Sequence, residues 1–174
     1  MSTSVALTEP TERAMASGTR QDAGLLVLRL AGFGLLTFHG AQKLFGVFGG
    51  PGLSGTTQMF QQMGYEPAGF FALAGGASEL VGGLLLVLGF LTPLGAAMSL
   101  GVMINAVVAV ASNGLIMAGY PIMLATAAVV LAITGPGRYS LDHNQPWQRA
   151  GLPWTAVTIG LAVVTAALSL LAKG

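Results

Sequence analysis

Residues 67–90 read PAGFFALAGGASELVGGLLLVLGF, twenty-four positions with a single charge, Glu79. A helix needs about 20 predominantly apolar residues to cross 30 Å of hydrocarbon, and this stretch supplies them. Four more stretches approach that length, at 23–45, 93–112, 120–134 and 153–172. The chain is therefore expected to be all-α, a polytopic bundle of about five transmembrane helices. Proline placement supports the parsing. Pro67, Pro93, Pro121 and Pro153 fall at expected helix starts, where the missing N–H costs nothing. Thr92 is the expected N-cap of the third helix, and the fourth can extend back through Leu115.

Composition agrees. The 174 residues are 53% hydrophobic and only 7% charged, whereas a soluble domain carries about 25% charged residues. Mean hydropathy is +0.75. A net charge of +1 with no basic run excludes nucleic acid as a partner. Cysteine is absent, which removes disulfides, thiol relays and thiolate metal sites from this chain. Any redox role must then use a bound cofactor or a partner's sulfur. No His, Asp and Glu grouping has metal-ligand spacing, and His39 and His143 fall near opposite membrane faces, which argues against haem.

The connections carry their own signals. Residues 1–22 are polar and lack a short apolar core ending in a cleavage site, so they read as a mobile tail before an uncleaved anchor. Between the first two spans, Gly49, Gly50, Pro51 and Gly52 precede a brief amphipathic helix capped by Ser54 and running through Met63, placed at the interface. A polar loop at 143–152 leads to the last span, which Trp147 and Trp154 flank as interfacial anchors. Arg13, Arg20, Arg138 and Arg149 share one side, against Lys43 and Lys173 on the other. That bias predicts a cytoplasmic N-terminus and an outside C-terminus.

Charges inside a span cost several kcal/mol and so need a partner or a purpose. The first helix carries Arg29, His39 and Lys43, which at 100° per residue project within an arc of about 80°. Glu79 lies near the middle of the second helix, with Gly75, Gly76, Gly82 and Gly83 at i−4, i−3, i+3 and i+4. Small residues at that spacing let a neighbouring helix come close. The third helix adds Asn105 at mid-depth. These placements predict a pocket lined by His39, Lys43, Glu79 and Asn105, with Arg29 deeper and able to meet Asp142 or Glu79. Glu79 and His39 would be the proton-handling, catalytic pair, and Lys43, Asn105 and Arg29 the ligand-binding groups. A donor–acceptor set beside an apolar cavity suits a quinone or another small redox lipid. Plainer roles stand beside these. Glu79 with a cation is also a register-setting ion pair, Lys43 can snorkel to the interface, and Asn105 can join helices.

Three strings in order carry a family resemblance: FHGAQKLFG at 38–46, ELVGGLLLVLGFLTPLGA at 79–96 and GPGRYSLD at 135–142. The first resembles the His-Gly-x-x-Lys signature of the DoxX family. The second resembles that family's Glu-x-x-Gly-Gly segment and Gly-x-x-Thr turn, and the third its closing Gly-x-x-Ser-Leu-Asp. The resemblance covers about residues 24–142. It implies a four-helix inner-membrane bundle over 23–142, with polar family positions at His39, Lys43, Glu79, Arg138 and Asp142, the last two structural. It further implies an integral subunit of an oxidoreductase system in a bacterial-type plasma membrane. Such a subunit would have a quinone-like or sulfur-compound ligand, no covalent cofactor, soluble redox partner proteins and a possible homo-oligomer. The span at 153–172 departs from the family pattern. A non-catalytic scaffold for soluble redox enzymes is the main alternative. A small-molecule transporter is the second, weakened because no internal repeat appears.

Overall fold

The computed structural model describes residues 8–149 and 151–173, with side chains from residue 17 onward except at 113. The described chain is all-helical. Its helices are α1 (Thr8–Leu28), α2 (Gly34–Phe45), α3 (Gly52–Gln62), α4 (Ala68–Leu88), α5 (Thr92–Val110), α6 (Leu115–Thr134) and α7 (Leu152–Leu171). A five-residue π-helical segment, Arg29–Phe33, joins α1 to α2, so Ser17–Phe45 is one continuous apolar span. With α4, α5, α6 and α7 it makes five helices long and apolar enough to cross a membrane. Their outer faces remain apolar, as Ile116 (91% exposed) and Leu171 (82%) illustrate, which is what a bilayer solvent requires.

Helix α2 packs on α4, α4 on α5, and α5 on both α6 and α7, while α3 lies across α2 and α4. Phe33, Leu36, Leu86, Ala96, Ala128 and Leu131 are fully enclosed at the centre. Glycine sets the closest approach. A Cβ on Gly40 would lie 2.3 Å from the Leu80 nitrogen, and one on Gly83 would lie 2.5 Å from the Thr37 hydroxyl. Only bare backbone at these positions lets α2 and α4 touch along their length.

Several local expectations change. Helix α1 begins at Thr8, inside the polar stretch read as a tail. Helix α6 begins at Leu115, so Pro121 sits inside it rather than at its start; interior proline is tolerated in a membrane helix where neighbours satisfy the freed backbone. Thr92 is the first residue of α5, not its cap, and Leu91 precedes it in a left-handed conformation (φ 46). Helix α3 starts at Gly52, which leaves Ser54 within it. The π-helical segment changes the angle per residue between Arg29 and His39, yet Arg29 and Lys43 both reach α4, Arg29 at Leu86 and Val87 and Lys43 at Glu79.

Candidate functional site

Lys43 and Glu79 meet. The Lys43 Nζ lies 2.5 Å from the Glu79 Oε1, with the carboxylate buried (3% exposed) and the lysine side chain 32% exposed. Glycine makes the meeting possible, because Gly76, one turn before Glu79, faces Leu44 and the Lys43 Cβ where any side chain would collide. The Thr56 hydroxyl donates to the Lys43 carbonyl (2.9 Å), fastening α3 over the end of α2. The second carboxylate oxygen, Glu79 Oε2, is buried and accepts no hydrogen bond from the described residues.

The pair opens onto a cavity of about 830 Å³. Helix α5 floors it, α4 and α7 flank it, and α3 and Tyr65 close one end. From Leu94 to Val110 its floor is roughly 24 Å long at 1.5 Å per residue. Most of the lining is apolar. Phe70, Leu94, Leu161 and Leu168 stand on its rim at least half exposed, so the groove opens sideways toward the lipid phase.

Asn105 lines the same groove and gathers three elements. Its Oδ1 accepts from Ser169 Oγ at 2.7 Å and from the Tyr65 hydroxyl at 3.3 Å, while its Nδ2 donates to the Gly101 carbonyl at 3.1 Å. Burial pushes the Tyr65 phenol above its ordinary pKa, which keeps it a donor.

Of the expected site residues, the structure brings Lys43, Glu79 and Asn105 to one cavity. His39 does not line it. Its ring packs edge-on against Tyr120 of α6 (centroids 5.4 Å apart), and Tyr120 in turn lies within electrostatic range of Glu79. Arg29 is elsewhere. It is buried near the opposite end of the bundle, donating from Nε to Leu86 O (2.8 Å) and from Nη2 to Val87 O (2.7 Å). Its Nη1 reaches Pro136 O (3.0 Å) and Tyr139 O (2.8 Å). It thus adds donors to carbonyls in the last turn of α4, where Leu86 O also accepts from Gly89 N, and ties the 136–139 loop to them.

Asp142 sits beside that loop and caps α5 from fifty residues away. Its Oδ1 accepts from Leu91 N, and its Oδ2 accepts from Thr92 N and the Thr92 hydroxyl, all within 2.9 Å. Trp147 Nε1 adds a fourth bond at 3.1 Å. Arg138 is exposed, its backbone N–H donating to Asp22 Oδ1. Through these contacts Arg29 and Asp142 hold helix ends and loops together, and Arg29 does not line the groove.

Five of the residues just placed, Arg29, His39, Lys43, Glu79 and Asn105, fall within residues 24–112, the stretch that matches the DoxX family model. That match covers just over half the chain. The protein belongs to the DoxX family. No curated protein and no solved structure matches it. In this DoxX chain the matched stretch supplies the ion pair, α3 and the α5 floor, whereas α6, α7, Arg138 and Asp142 lie beyond it.

Sequence reasoning missed Tyr65, Ser169 and the α7 wall. A signal for the wall existed. Thr155, Thr158, Ala162, Thr165 and Ser169 recur at helical spacing as a stripe of small and hydroxylated residues, the composition that packs helices closely in lipid.

Proposed function

We propose that this protein is the integral membrane subunit of an oxidoreductase system and that it holds a quinone-like lipid in the groove, ring against the Lys43–Glu79 pair. One observation carries the reading: a buried carboxylate with an unpartnered oxygen lines an apolar groove that opens sideways to lipid. The pair offers complementary chemistry at one point. Lys43, partly exposed, has donors left for a ring carbonyl oxygen, and Glu79, whose Oε2 is enclosed and without a partner, would accept from a ring hydroxyl after turning toward the groove.

Size favours a single small molecule. The cavity holds 830 Å³, within the range of about 300–1,000 Å³ for small-molecule sites. The apolar lining favours a quinone over a free sulfur anion.

Reducing a quinone to a quinol takes two electrons and two protons. With no cysteine in the chain, the electrons come from a soluble redox partner that oxidises a reduced sulfur compound, and this subunit's part is to seat the ring and exchange protons at its oxygens. The same reading places the N-terminus on the cytoplasmic side of a bacterial-type plasma membrane, on the arginine bias.

The test is mass spectrometry of quinones and lipids that co-purify with wild type and with Glu79→Gln. A quinone retained by wild type and lost from a monodisperse Glu79→Gln supports the reading. Absence of any enriched quinone from both rejects it and turns the interpretation toward a scaffold.

A further inference from the structure

We infer that α7 turns the groove into a two-part lipid site, an aromatic ring compartment and an aliphatic tail compartment, and that α7 makes binding depend on the tail. The inference rests on the quinone reading above. The two halves of the groove differ in kind. On one side of the ion pair, Phe60, Tyr65 and Phe71 form an aromatic wall, with Phe60 and Tyr65 centroids 5.2 Å apart and Tyr65 and Phe71 5.3 Å apart. Phe60 faces Gly75, one turn or about 6 Å along α4 from Glu79 on the same helix face, so the aromatic edge sits next to the polar pair. Planar rings pack favourably against such edges.

On the other side, the lining from Leu94 through Met98 and across to Leu161 is aliphatic. Along α5 that half extends about 10 Å, from Gly101 to the half-exposed rim at Leu94 and Leu161. An apolar tail leaving a ring at the pair has this path into the bilayer.

Helix α7 owns one wall of the tail half and is fastened along its length. The Thr155 hydroxyl donates to Ala132 O (2.8 Å) at its start. Gly101 of α5 lets the Ala162 backbone approach at mid-helix, where an added Cβ would lie 3.4 Å from its carbonyl oxygen. At the far end, Ser169 donates to Asn105, Tyr65 pairs with Lys173 in an isolated antiparallel bridge, and the Lys173 ammonium lies 6.0 Å from the Tyr65 ring centroid. The Ser169–Asn105–Tyr65 clasp therefore joins the tail wall to the ring compartment. Without α7, the α5 floor would face lipid directly and the tail would gain nothing over its place in the bilayer.

The experiment measures retention of two probes by the full chain in nanodiscs: 2,3-dimethoxy-5-methyl-1,4-benzoquinone without a tail, and the same ring with a decyl tail. Wild type should retain the decyl form more strongly. Leu161→Ala, at a lipid-facing rim position, should lower decyl retention about threefold, the loss of a few dispersion contacts, and leave the tail-less ring unchanged. Ser169→Ala should lower the decyl-to-ring ratio as well, and Ser169→Thr, which keeps the hydroxyl, should restore it. A decyl-to-ring ratio unchanged by both Leu161→Ala and Ser169→Ala overturns the inference. Ring retention that is lost in Glu79→Gln but indifferent to the tail in wild type overturns it while sparing the quinone reading. Failure of wild type to retain either probe overturns both.

Discussion

Lys43→Met should destabilise the protein far more than Glu79→Gln. Lys43 is the ion-pair partner of a carboxylate that is only 3% exposed. Removing the cation leaves a buried charge with no partner, and breaking a buried pair in this way costs about 3–5 kcal/mol.

In Glu79→Gln the stranded group is instead Lys43, a third exposed and near the end of α2, which can swing toward the interface at a cost under about 1 kcal/mol. Adding Glu79→Gln to Lys43→Met should therefore recover most of the loss, since removing both charges is often close to neutral. The readout is the temperature at which half the detergent-solubilised protein stays monodisperse. A difference of about 3 kcal/mol between the two single variants corresponds to roughly 6–12 °C for a chain of this size. A Lys43→Met deficit no larger than that of Glu79→Gln, or a double variant no more stable than Lys43→Met, refutes the reasoning.

Four further outcomes follow from other contacts. Asp142→Ala removes the acceptor for three donors at the start of α5 and for Trp147 Nε1, and should cost about 3 kcal/mol in the same thermal assay, with Asp142→Asn costing less. Arg29→Lys keeps the charge but cannot span four carbonyls from one ammonium, so a loss of about 2 kcal/mol or more is expected. Gly40→Ala places a Cβ 2.3 Å from the Leu80 nitrogen and should sharply reduce the monodisperse yield, whereas Gly34→Ala, with nothing within 4 Å, should be neutral or stabilising by up to about 1 kcal/mol. Because the chain has no cysteine, Arg138→Cys and Lys173→Cys give clean single-site probes; an impermeant maleimide added to intact cells should label Lys173→Cys and not Arg138→Cys if the arginine bias sets the orientation.

The parts of this fold that were legible in the sequence are those governed by composition and short-range spacing. Five apolar stretches predict five membrane-length helices, and five are found among the described residues. The glycines around Glu79 predict a close helix contact, and α2 makes it. Lys43 reaches Glu79 because both face that contact. The parts that were not legible depend on helical register and on distant chain segments. Nothing local in Arg29–Phe33 announces a π-helical segment, and nothing near Arg29 announces the carbonyls at the end of α4 and in the 136–139 loop that it serves. Thr92 looked like a cap because Pro93 follows it, but the acceptor that serves α5 arrives from Asp142 in the loop after α6. His39 and Lys43 are four residues apart on one helix, and still His39 stacks on Tyr120 while Lys43 meets Glu79, because α2 lies between two neighbours.

The glycines of α4 bear on the choice between a ligand site and a purely structural ion pair. Each interior glycine costs a helix about 1 kcal/mol relative to alanine in water. In lipid that cost is largely masked, because the backbone must be helical to satisfy its own hydrogen bonds. Close approach of α2 is therefore cheap to obtain, and an apolar contact between the same helices would have sufficed to hold them; a buried ion pair is often no better than hydrophobic residues of similar size. A pair retained only to set register should also be enclosed, with both carboxylate oxygens matched to donors. Here Glu79 offers Oε1 to Lys43 and leaves Oε2 enclosed without a hydrogen-bond partner, while both residues border an 830 Å³ groove. Lys43 itself keeps a third of its side chain accessible. The pair sits at the close contact of α2 and α4 and also borders the groove, so an occupant of the groove, as proposed above, would meet these charges at its edge.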